Sequence, residues 1–139
     1  MEQPTALEIN SLHVRPDGSQ EQYRFSVAAM ADTLHDVLRL RYSEPPEHDM
    51  EGETCWTIFP SRAILKRSGA IDARMVFEVG KEYTMPYRSV YGAMFLTSKT
   101  QFLNYTPTET GGIFTLHYAL FTDDEPLGAT QLSIEMKYV

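Results

Sequence analysis

Leu132, Ile134, Met136 and Tyr138 alternate with Gln131, Ser133, Glu135 and Lys137. A period of two puts one set of side chains on each face of a β-strand, whereas the apolar stripe of a helix recurs every three or four residues. The alternation repeats backwards along the chain. Residues 113–122 carry Phe114, Leu116, Tyr118 and Leu120 on one face, and residues 93–105 place Met94, Leu96 and Phe102 at one parity. Residues 70–79 set Ile71, Ala73, Met75, Phe77 and Val79 against Asp72, Arg74 and Glu78. Segments 62–67, 53–59, 20–29 and 6–15 read as further strands. Turn formers punctuate them: Pro16-Asp17-Gly18, Pro60-Ser61, Ser68-Gly69, the 106–112 loop, and Asp123-Asp124-Glu125-Pro126.

Three segments are less regular. Residues 32–41 could form a helical face through Leu34, Val37 and Leu38 with Asp32 as cap. A turn followed by a strand carrying Leu38, Leu40 and Tyr42 is the expectation. Residues 83–92, with Pro86 inside, predict a short helical turn or an irregular crossing segment. Residues 43–53, holding Pro45, Pro46 and five acidic side chains, predict an exposed loop.

About eight or nine short strands joined by local turns therefore fill a chain of 139 residues. That length suits one domain, residues 1–139, with a real core. The predicted fold is all-β: a closed up-and-down antiparallel barrel, because closure removes exposed sheet edges. A β-sandwich is the structural alternative. At roughly eight strands a barrel is either filled by its own side chains or holds one small ligand.

Charge narrows the partners. The net charge of −7 repels phosphate backbones and anionic bilayers, so neither nucleic acid nor a membrane is expected. The first ten residues show no basic or apolar leader, and the longest nearly apolar run, 25–31, is too short to span a bilayer. With a single cysteine, Cys55, no internal disulfide can form, which fits a reducing cytoplasm.

The string Arg67-Ser68-Gly69-Ala70, followed by Arg74, Phe77 and Gly80, resembles the YwiB-like family of small bacterial proteins. The similarity continues through Tyr87, Gly92, Thr97, Thr100, Gly112, Tyr118 and Gly128. It spans residues 7–136. The resemblance implies a calycin-like barrel, related in shape to lipocalins and streptavidin; it brings no activity, substrate or cofactor.

A pocket for a small molecule needs an apolar wall with a few inward polar groups. Parity nominates Tyr118 among Phe114, Leu116 and Leu120, and Arg67 beside Ala63 and Leu65. Ser98 and Thr100 share the parity of Leu96 and Phe102. The bland alternative has these hydroxyls bonded to backbone, with Arg67 at the barrel mouth. Arg74 shares the parity of Asp72 and Glu78 and so belongs outside, unless a bulge turns it inward as an anion-binding group. Tyr83, Tyr87 and Tyr91 could line an opening or plug an end.

His13, His35, His48 and His117 are scattered singly, so no metal site is expected. The acids around Glu47 lack the spacing of a calcium loop. No nucleophile elbow or phosphate loop is present, and no cofactor is implied. The leading expectation is capture of a small, partly apolar molecule in the lumen by Arg67, Tyr118, Tyr87 and Arg74. The alternatives are a packed barrel that serves as an interaction or homodimer module, with Phe95 and Phe121 at outward parity, and a lumen acid/base enzyme.

Overall fold

The computed structural model describes residues 2–44 and 52–139. They form ten strands: β1 (Glu2–Val14), β2 (Gln20–Leu34), β3 (Val37–Ser43), β4 (Gly52–Ile58), β5 (Arg62–Gly69), β6 (Asp72–Glu78), β7 (Glu82–Ser89), β8 (Gly92–Thr108), β9 (Gly111–Thr122) and β10 (Glu125–Tyr138). Each pairs antiparallel with its neighbour in sequence, and β1 closes on β10 from Thr5↔Tyr138 to Val14↔Ala129. The sheet is a closed up-and-down barrel, as the alternation predicts, with ten strands rather than eight or nine.

Two differences stand out, of which only the second adds a strand to the nine read from the sequence. The segment read as one turn and one strand after residue 31 belongs to two elements. β2 runs on to Leu34, and His35 and Asp36, at φ 50° and 64°, make the two-residue left-handed turn into β3. Asp123 and Asp124 repeat that geometry, at φ 49° and 64°, between β9 and β10; such turns match the twist of the strands they join. The second difference is β7, where a helical turn or crossing segment was expected. Pro86 sits in it opposite Phe95 of β8. On its other side β7 meets β6 through Asp72↔Arg88 and Ala73↔Tyr87 only, and the ladder stops before Pro86. Lacking an N–H, proline is tolerated where a strand has a free edge. Past this point β8 approaches β6 directly, and the Ser98 hydroxyl donates to the Val76 carbonyl at 2.8 Å.

Further corrections are local. The β5–β6 turn lies at residues 70–71 rather than at Ser68-Gly69, and the β8–β9 turn is confined to 109–110. A bulge between Thr100 and Phe102 reverses the parity of β8. Ser98 and Thr100 are buried as expected, but Phe102 turns outward against His117, and Leu103 and Tyr105 take the inner positions. Of the segment read as an exposed acidic loop, Glu44 is buried; Pro45, Pro46, Glu47, His48, Asp49 and Glu51 lie outside the described residues.

The inner face is largely apolar: Leu7 and Ile9, Leu38 and Leu40, Trp56 and Ile58, Met75 and Phe77, Phe114 and Leu116, Leu132 and Ile134. Rings fill the middle. Phe114 lies edge-on to Trp56 at 5.5 Å, Trp56 is 6.0 Å from Phe77, and Phe77 is 4.6 Å from Tyr118. Burying such side chains contributes about 1.5–3 kcal/mol each, so the centre is packed and open space is displaced to the ends.

Candidate functional site

In an up-and-down barrel the chain crosses from odd to even strands at one end, here the mouth. The ends of β1, β3, β5, β7 and β9 and the starts of their successors meet there. Arg67 of β5, Tyr87 of β7 and Tyr118 of β9 converge on this end and line one cavity of about 310 Å³ with Leu65, Met75, Leu96 and Leu120. His13 joins them: its Nδ1 lies 2.9 Å from the Thr130 hydroxyl, which also hydrogen-bonds Tyr118. Gly128 makes room for this arrangement. A Cβ there would lie 2.4 Å from the Val14 carbonyl oxygen and 3.0 Å from the His13 ring, and its φ of +127° favours glycine in any case.

Beside this cavity lies a smaller one, about 80 Å³, lined by Tyr23, Tyr42, Glu44, Trp56, Arg67 and Tyr118 among others. Its polar wall is built on β3 and β4. Leu38, Leu40 and Tyr42 point inward, and Glu44 continues that parity, with its side chain only 3% exposed. The Thr54 hydroxyl donates to Glu44 Oε1 at 2.9 Å, and Arg67 Nη2 stands 3.8 Å from the same oxygen. Glu44 Oε2 is buried and has no hydrogen-bond partner among the described residues. The Trp56 indole N–H donates to Tyr42 Oη at 3.3 Å.

The electrostatics follow from burial. Desolvation pushes the Tyr42 phenol far above its ordinary value, and the nearby Glu44 charge adds to the effect. Desolvation also raises Tyr118, against the opposing pull of Arg67 and of the Thr130 hydrogen bond. Both phenols are therefore neutral donors and acceptors at neutral pH. The Arg67 guanidinium and the Glu44 carboxylate together leave the mouth with no net charge.

Of the residues nominated from sequence, Arg67, Tyr87 and Tyr118 thus meet. Arg74 does not join them. No bulge turns β6, so Arg74 stays exposed on the outer face opposite Lys66, where simple parity puts it. Tyr83 donates to Glu78 at 2.9 Å, away from the mouth cavity, and Tyr91 is 97% exposed at the β7–β8 tip. Sequence reading missed Glu44, Thr54 and His13. Each continues an inward parity, Glu44 after Tyr42, Thr54 before Trp56 and His13 after Ile9 and Ser11, and that signal was available. Among the described residues no three His, Cys, Asp or Glu side chains gather where they could hold a metal ion. Nor is any helix there long and apolar enough to cross a membrane.

The model of a domain of unknown function, DUF1934, matches residues 7–134. The chain is 25% identical over 125 residues to a Bacillus subtilis (strain 168) protein described as the uncharacterised β-barrel protein YwiB, covering 89% of this chain and 86% of that one. The crystal structure of the ywiB protein from Bacillus subtilis superposes with a TM-score of 0.86 at 21% identity. The match covers 99% of this chain and 93% of that chain.

Proposed function

The chain belongs to the DUF1934 family, and from the barrel that this membership and its own sheet describe we propose that it binds a small, partly apolar molecule at its mouth. The observation that carries this is the convergence of Arg67, Tyr118 and Glu44 on apolar cavities that the packed centre does not fill. At about 310 Å³ the larger cavity is at the lower end of the ~300–1,000 Å³ typical of small-molecule sites, so the ligand is compact. It sits above the ring stack rather than deep in the lumen, and in this respect the site is calycin-like in its mouth alone.

Charge selects the head group. Because Glu44 already accompanies Arg67, an added anion would meet a carboxylate as well as a guanidinium. A neutral head that both donates and accepts, such as an amide or a hydroxyl, answers Glu44 Oε2 with its donor and Arg67 or Tyr118 with its acceptor. Native mass spectrometry of the freshly purified chain beside the denatured chain tests for a copurifying ligand. Titration with hexanamide and with hexanoate, followed by amide shifts, tests the class. Hexanamide shifting residues near Tyr118 and Leu120, more strongly than hexanoate, supports the proposal. Neither probe perturbing the mouth, with no copurifying mass, overturns it.

The outer surface supports a second reading, an interaction module. Val90, Tyr91 and Phe95 are 81%, 97% and 63% exposed around the β7–β8 hairpin, and gathered apolar side chains of this kind mark protein contacts. Phe121, also outward, is instead covered by Lys99 at 4.8 Å. A dimer in sedimentation that Tyr91→Ser and Phe95→Ser together dissolve would favour this reading. A reducing cytoplasm, which the single Cys55 suits, is the compartment proposed for either.

A further inference from the structure

On the outer wall, where Pro86 ends the β6–β7 ladder, the sheet leaves a notch of about 360 Å³. Its apolar surface is Ala73, Pro86, Tyr87 and Ala93, and Lys66, Arg74, Arg88 and Asp72 also line it. Elsewhere on this acidic chain five cations are paired with carboxylates, Arg15 with Glu21, Arg24 with Glu8, Arg41 with Glu2, Lys81 with Glu78 and Lys99 with Glu82, and Arg62 lies over the Phe59 ring. Lys66, Arg74 and Arg88 form no ion pair among the described residues. Lys66 and Arg74 also stand directly opposite each other across β5 and β6, a placement that costs stability because like charges face one another. Arg88 opposes Asp72 across β6 and β7. Arg67, which also lines the notch, stands beside Glu44; Lys66, Arg74 and Arg88 against the one carboxylate of Asp72 leave two positive charges over an apolar floor.

We propose that this notch is a second binding site, for a phosphate monoester of a small apolar or aromatic body. A phosphate monoester carries about −1.5 to −2 at neutral pH and offers three acceptor oxygens, which matches the excess charge. Guanidinium groups pair with such oxygens two at a time. The body of the ligand lies on Pro86 and Ala93 with the Tyr87 ring beside it. Arg67 and Tyr87 line both this notch and the mouth cavity, so the two sites are separated by one wall. They differ in charge: the mouth is balanced, and the notch is not.

The probe is phenyl phosphate, titrated by calorimetry at low ionic strength and mapped by amide shifts. The expected result is saturable binding, with shifts centred on residues 66, 74 and 88. Arg74→Gln and Arg88→Gln should each bind about tenfold less tightly, the loss of one charge-assisted contact. Arg74→Gln should also melt at a temperature no lower than the parent, because it removes a like-charge pair; this separates lost binding from lost folding. Phenyl sulfate, a monoanion of the same shape, should bind more weakly. Absence of saturable binding overturns the proposal. So do equal affinity in the Arg74→Gln/Arg88→Gln double variant and shifts confined to the mouth around Tyr118. That last outcome would leave the mouth site standing, and hexanamide binding without phenyl phosphate binding would likewise remove this site alone.

Discussion

Just beyond the end of β3, Glu44 accepts a hydrogen bond inside the barrel from the hydroxyl of Thr54 on β4 at 2.9 Å, with the Arg67 guanidinium 3.8 Å from the same oxygen. A carboxylate that buried persists only when charge and hydrogen bonds compensate its desolvation. The trio is thus a structural unit as well as the polar wall of the mouth.

Thr54→Val keeps the shape and removes the donor. The expected cost is about 1–3 kcal/mol, the desolvation penalty of an acceptor left short of a partner, read as a lower midpoint in urea with an unchanged slope. No loss of stability would show that the Thr54–Glu44 bond contributes nothing net.

Glu44→Gln changes charge more than shape. With the carboxylate gone, Arg67 is no longer balanced and the mouth gains a positive charge. The preference between matched probes should then invert, hexanoate binding more tightly than hexanamide. An unchanged order would mean that Glu44 does not set the head group.

Alkaline titration tests the buried phenols. Tyr42 and Tyr118 have folded values raised above their unfolded value of about 10. Above about pH 10 the unfolded chain loses these protons while the folded one keeps them, so the stability they contribute is complete below that pH and declines as pH rises. Of the eight tyrosines, Tyr83 and Tyr105 are also raised, but in spectrophotometric titration the buried Tyr42 and Tyr118 should be the last to ionise, or ionise only on unfolding. Tyr42→Phe and Tyr118→Phe should each flatten the alkaline decline, and a decline as steep as in the parent would refute the assignment.

Gly128→Ala should destabilise by at least about 2 kcal/mol, since a positive φ and a 2.4 Å approach to the Val14 carbonyl must both be relieved. The His13 imidazole must shift as well, so its NMR resonances should move in the variant. A wild-type melting temperature would contradict this close packing.

Period-two alternation made most of this barrel readable, because the pleat ties each residue's facing to its neighbours'. Leu38, Leu40 and Tyr42 were placed correctly on that ground alone. It failed where another influence locally dominated. The bulge before Phe102 inserts a residue that no hydrophobic pattern announces, and every facing beyond it flips. Pro86 argued against a strand, yet at Pro86 the β6 ladder has already ended and β7 is paired on the β8 side alone, so a missing N–H is tolerated there. Glu44 was taken for loop because prolines and acids follow it, although the inward row of β3 runs straight to it. Arg67 and Tyr118 were legible as inward groups; their charge partner was not, since nothing local links Glu44 to β5.

The seam between β1 and β10 joins Thr5 to Tyr138 and Val14 to Ala129, whereas every other ladder links strands adjacent along the chain. Closing a loop costs entropy that grows only with the logarithm of its length, about 0.6 kcal/mol per doubling. The ring is therefore inexpensive to shut once, but the search for that contact is long compared with hairpin formation. Hairpins can zip from neighbour to neighbour while the seam waits, so the rate at which the chain matures is governed by the meeting of its two outermost strands.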